Sequence, residues 1–109
     1  MPTYAVIAAY TPEHWGRVVA APAARGMALR AAAEAVGGSV DALYWMFGNN
    51  DLLAIITAPD FTAQAALNVA MASTGVFTSF ASHEVISADQ LDEVVARAKA
   101  TGLVPAPPE

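Results

Sequence analysis

Apolar positions fall along the chain in short blocks whose spacing changes several times. Thr3 to Tyr10 (Thr-Tyr-Ala-Val-Ile-Ala-Ala-Tyr) is a compact run with β-branched and aromatic members, which predicts a strand. Thr11-Pro12-Glu13 follows with an N-cap residue, a proline at the first helical position and an acid in the first turn. The spacing predicts a short helical piece over Pro12 to Ala20, then a main helix from about Pro22 to Val36 ended by Gly37-Gly38, with Arg25, Leu29, Ala32 and Val36 on one stripe. Ser39 to Phe47 and Leu52 to Thr57 flank the turn-forming Gly48-Asn49-Asn50-Asp51, the pattern of a β-hairpin. Asp60 is placed to cap a helix from Phe61 to about Thr74, closed by Gly75, and Val76 to Ile86 predicts a fourth strand. Ser87-Ala88-Asp89-Gln90 is a capping box, and Leu91, Val94, Val95 and Ala98 form the apolar stripe of a C-terminal helix ending near Gly102. There is no internal repeat.

The order β-α-β-β-α-β with one further helix predicts an α+β, ferredoxin-like domain over residues 1–102, with a four-stranded antiparallel sheet carrying its helices on one face. Residues 103–109 are a proline-rich tail, either loose or laid as an extended arm on a neighbour. The first strand sends Tyr4, Val6, Ala8 and Tyr10 to one side and Ala5, Ile7 and Ala9 to the other, while the third is apolar on both, so both sheet faces ask for cover. Burying ~400 Å² of such a face is worth about 10 kcal/mol gross, which favours self-association through the open face. The alternative is that the C-terminal helix folds over part of it.

Composition sharpens this picture. Hydrophobic residues make up 56% of the 109-residue chain and charged residues 14%, which excludes a disordered chain. Roughly a quarter of the residues are alanine, which favours helix without supplying bulk. The net charge is −5 and the five basic residues never cluster, so nucleic acid is not an expected partner. With no cysteine, disulfides and thiolate metal sites are excluded. No apolar run approaches the ~20 residues of a membrane span and the stretch Met1-Pro2-Thr3-Tyr4 lacks a basic n-region, so the expectation is a soluble, cytoplasmic protein without a membrane partner.

Pro2-Thr3-Tyr4, Arg25, Gly37-Gly38, Gly48-x-x-Asp51, Ala58-Pro59-Asp60 and Gly75-Val76 stand in an order and spacing that resembles the GYD domain family of small bacterial proteins, over roughly Met1 to Leu91. The resemblance implies kinship with the dimeric α/β-barrel group, whose ferredoxin-like subunits pack sheet to sheet and enclose a cavity. The signature usually written Gly-x-Tyr-Asp stands here as Gly48-Asn49-Asn50-Asp51, with Asn50 in place of the tyrosine.

Candidate chemistry is sparse. His83, with Phe77, Ser79, Ala81 and Val85 expected on its own side of the strand, is suited to act as a general base or as a hydrogen-bonded interface histidine, while Glu84 points the other way. Tyr44 and Met46 are expected on one face of the second strand and Trp45 and Phe47 on the other; one pair is core and the other lines an interface or a ligand cavity. Tyr10 and Trp15 serve either plain packing or the rim of that cavity, and Asn50 and Asp51 serve either turn chemistry or a ligand. Arg25 can hold a substrate carboxylate or an acidic side chain. His14 and His83 make no metal-ligand spacing, and no glycine run cradles a phosphate, so neither a metal nor a cofactor is implied. The expected function is a homodimer or higher oligomer binding a small organic molecule in an apolar cavity at the sheet face. With catalysis, the resemblance implies cofactor-independent isomerisation, dehydration or oxygenation, with His83 as base and Tyr44 or Asn50 orienting the substrate. The alternative is a non-catalytic accessory or scaffold subunit that uses the sheet face and tail for assembly.

Overall fold

The computed structural model describes residues 1–24 and 26–108. Four strands, β1 (Thr3–Tyr10), β2 (Ser39–Trp45), β3 (Leu52–Thr57) and β4 (Phe77–Val85), form one antiparallel sheet in the order β2-β3-β1-β4. This is the split arrangement in which β1 and β3 each lie between strands that a helical crossover joins, so the ferredoxin-like expectation holds. The crossovers are α1 (Pro12–Ala20), a 3-10 turn over Pro22–Ala24 and α2 (Met27–Ala35) on the first, and α3 (Phe61–Ser73) on the second; α4 (Ala88–Ala100) follows the last strand.

The core lies between the sheet and its helices. Tyr4, Val6 and Ala8 of β1 and Leu52, Ala54 and Ile56 of β3 are buried on that face, with Ala33, Leu67 and Met71 from the helices. Strand alternation puts Ala5, Ile7 and Ala9 and then Leu53, Ile55 and Thr57 on the opposite, open face.

Local geometry departs from the sequence pattern in three places. The expected continuous helix from Pro22 is broken: α2 begins only after Gly26, whose φ of 76° lies in the left-handed region that favours glycine, and a Cβ there would press on the Leu43 side chain. Arg25, expected on the stripe of that helix, lies outside the described residues. In β2 the pairing register shifts between Val40 and Ala42. The bulge leaves Asp41 to accept hydrogen bonds from the hydroxyls of Ser39, at 2.8 Å, and Thr57, and it brings Val40, Leu43 and Trp45 onto the core face opposite Ile56, Ala54 and Leu52. In β4 a second irregularity, opposite Ala9 and Tyr10, turns Phe77 onto the helix face, where its ring lies 5.8 Å from Phe80. Phe77 therefore does not share a side with His83, whereas Ser79, Ala81 and Val85 do.

The molecule measures 60 × 31 × 22 Å, and its radius of gyration of 17.5 Å exceeds the ~13 Å of a compact chain this long. Every residue of α4 is exposed, so this helix does not cover the open sheet face. Leu103–Pro108 adds an exposed segment without regular secondary structure. No helix among the described residues is long and apolar enough to cross a membrane.

Candidate functional site

A cavity of about 400 Å³ opens on the helix side of the sheet, at the end where β1 runs into α1. Its floor is Tyr10, Leu43, Trp45 and Leu52 from the strands, and its walls come from α1, the 3-10 turn, α2 and the C-terminal end of α3, with Val76 and Phe77 closing one side. Alanines at 21, 24, 28, 32 and 70 leave the space open. The alanine content that builds helices without bulk thus also makes the cavity.

The chain secures the polar members of this site from its backbone. Thr11 caps α1 by accepting from His14 N–H at 3.2 Å, and Thr11 N–H donates to Val76 O at 2.8 Å, which fixes the helix start over the strand end. Tyr10 then becomes the hub of an aromatic group: His14 lies 4.4 Å from its ring, Phe77 stacks at 5.5 Å and Trp15 meets it edge-on at 5.6 Å. Asp51 anchors the hub from the hairpin. Its carboxylate accepts from Tyr10 N–H and its own N–H donates to Ala8 O, both at 2.8 Å, while its carbonyl accepts from Met46 N–H. Asp51 is thereby a positioning residue that ties the turn to β1.

Electrostatics at the hub follow from this packing. Burial raises the Tyr10 phenol above its ordinary range and the Asp51 carboxylate adds to the shift, so the phenol remains protonated and able to donate. Burial lowers the His14 imidazole and nearby Arg17 pushes the same way, so the ring is neutral at pH 7. His14 Nδ1 and Trp45 Nε1 are both shut away from solvent without a hydrogen-bond partner among the described residues. An unpaired buried group of this kind costs about 1–3 kcal/mol.

The site residues expected from sequence separate into distinct places. Tyr10 lines the cavity; Asp51 stands behind it, bonded to backbone; Asn50 is half-buried in the turn; Arg25 lies outside the described residues. Tyr44 is 58% exposed on the open face, and His83, opposite Ala5 on the edge strand β4, is exposed on that same face. Because β3 and β1 separate their strands, Tyr44 and His83 stand at opposite edges of the sheet. The cavity within this chain lies on the other side of the sheet from the open face, and His14 is among its lining residues while His83 is not. The sequence marks His14 only as one of two histidines without metal-ligand spacing; its place just after Tyr10 and Thr11 is the signal that carries it to the cavity. Among the described residues no group of three His, Asp or Glu is gathered to hold a metal.

Fold and site together define a small α+β domain with an apolar cavity beneath its first crossover. The GYD domain family matches residues 4–95, and the chain belongs to that family. No curated protein and no solved structure gives a match. Within the family signature, the retained Asp51 has the backbone role just described, while the usual tyrosine position is Asn50.

Proposed function

We propose that this protein binds a small, mainly apolar organic molecule carrying an oxygen acceptor, in the cavity between α1 and the sheet. The observation that carries this reading is a concave space of about 400 Å³ with an apolar lining and very few polar tips, the composition of a ligand pocket. Trp45, whose Nε1 is a donor only, and neutral His14 both line it, and each carries a buried ring nitrogen with no hydrogen-bond partner among the described residues, which suits a ligand bearing a carbonyl or hydroxyl. Proton transfer, if the bound molecule undergoes it, belongs to His14 and Tyr10 in this reading, and not to His83.

The test is a thermal-shift screen of small aromatic carbonyl and hydroxyl compounds against the wild type and Ala32→Phe, which fills the cavity. Compounds that raise the wild-type melting temperature and leave the filled variant unmoved support the reading; equal shifts in both proteins, or none in either, overturn it.

A second reading, self-association through the open sheet face, is supported by the apolar row of Ala5, Ile7, Leu53 and Ile55 with Tyr44 exposed at its edge. Native mass spectrometry of untagged protein tests it: Ile55→Asp shifts an assembly toward smaller species, and an assembly of unchanged size removes the open face as its interface.

A further inference from the structure

α4 is a finished helix with nothing to lie on. Its capping box is complete, with Ser87 Oγ accepting from Gln90 N–H at 3.2 Å and Gln90 Oε1 accepting from Ser87 N–H at 2.9 Å, and Arg97 and Lys99 occupy its last turn. Yet Leu91, Val94 and Val95 are 50%, 48% and 42% exposed, and no residue of the helix is buried. Thirteen residues make a helix of ~20 Å, which is marginal in water without packing.

The charges beside the stripe identify what packs there. At 100° per residue, Leu91, Val94, Val95 and Ala98 share one narrow seam, Asp92 and Lys99 border it on one side, and Glu93 and Arg97 lie beyond the other. In an antiparallel pair of such helices, like borders face each other. A pair centred near residue 95 sets Asp92 against Lys99 of the second copy, twice about the axis, while Glu93 and Arg97 satisfy each other within each chain. A parallel, in-register pair instead turns unlike borders together and sets Lys99 toward Arg97 of the second copy, which repels. Within one chain Glu93 and Arg97 already touch at 2.9 Å, and Asp92 and Lys99 have no ion pair among the described residues. A copy of this chain carries the matching pattern by construction, and a twofold axis delivers it.

We propose that α4 pairs antiparallel with α4 of a second copy, about a twofold axis near Val95, burying the two apolar seams against each other. This contact is independent of the ligand cavity and of the open sheet face, so it stands or falls without either.

The chain contains no cysteine, which allows a direct test. Val95→Cys, next to the axis, is oxidised mildly at micromolar concentration beside two single-cysteine controls, Leu91→Cys and Val19→Cys. In the proposed pair the two copies of residue 91 are separated by at least ~12 Å along the helix, beyond disulfide reach, whereas those of residue 95 come within it. Expected is covalent dimer from Val95→Cys at a yield several-fold above both controls. Equal yields from all three proteins overturn the proposal. A charge exchange supplies the second readout: Asp92→Lys and Lys99→Glu each weaken association about tenfold alone, and mixing the two restores it as a mixed dimer. Failure of the mixture to recover also overturns the antiparallel pairing. Both variants alter exposed residues of a helix that buries nothing, so the body of the domain keeps its fold.

Discussion

Two helices of equal length, α3 and α4, begin and end alike and have different fates. Each has 13 residues. Each starts with a side-chain oxygen accepting a backbone N–H, Asp60 from Ala63 at 2.8 Å and Ser87 from Gln90 at 3.2 Å. Each ends at a threonine whose hydroxyl donates to a carbonyl three residues back, Thr74 to Met71 and Thr101 to Ala98. α3 nevertheless buries Gln64, Leu67 and Met71, and α4 buries nothing. The difference lies in topology. α3 joins β3 to β4, which flank β1 in the sheet, so the chain must carry it back across the sheet face. Among the described residues no strand follows α4 to bring it back. Local signals therefore specify that a helix forms, and the strand order specifies whether it finds the core.

The most direct way to break this comparison is to cut the same side chain from both helices. Leu67 is 1% exposed within the core cluster, and Leu67→Ala is expected to cost about 2–5 kcal/mol in chemical denaturation. Leu91→Ala is expected to cost less than ~1 kcal/mol when the protein is dilute enough to be monomeric, since its side chain is half exposed. Equal costs under that condition would mean that α4 folds back onto its own core.

The caps give a smaller contrast. Asp60→Ala is expected to lower global stability by about 1 kcal/mol, because α3 cannot fray without loosening the core. Ser87→Ala removes a comparable cap, but its effect is local. Hydrogen exchange should quicken in the first turns of α4 while the midpoint of global unfolding stays in place.

The same contrast explains how far the sequence can be read. Strands, helices and their order follow from periodicity, caps and turn residues, all of which act over a few positions. The breaks do not. Asp41 in the β2 bulge is held by Thr57 from a strand 16 residues away, so no local pattern announces that Val40, Leu43 and Trp45 share a face. Gly26 looks like an ordinary helix residue until Leu43 stands against it. Tyr10 and Asp51 both stand out in the sequence, but their bond spans 41 positions and makes one the support of the other. Gln64, 1% exposed, was missed altogether; its side-chain amide donates to Asn68 and to Ser82, and Ser82 comes from a strand laid beside it only by the fold. The cavity is legible only afterwards, because alanines announce small volume and not where the volume is left empty.

The smallest expected effect sharpens the comparison with a third case. α1, like α4, has no buried residue, but unlike α4 it is coupled to the body through His14, whose ring lies 4.4 Å from Tyr10 and whose Nδ1 is sealed from solvent. Burial, then Arg17, lowers the folded-state pKa of His14 below its unfolded value of about 6.5. As pH falls through that value the unfolded chain takes up the proton first, so stability declines until the folded-state pKa is reached and then loses nothing more from this group. His14→Gln should flatten that stretch of the stability profile while leaving the alkaline side unchanged. The check is a series of denaturation midpoints between neutral pH and about pH 5, for the wild type and the variant. Identical slopes would make α1 as detached from the body as α4, and with it the roof of the cavity.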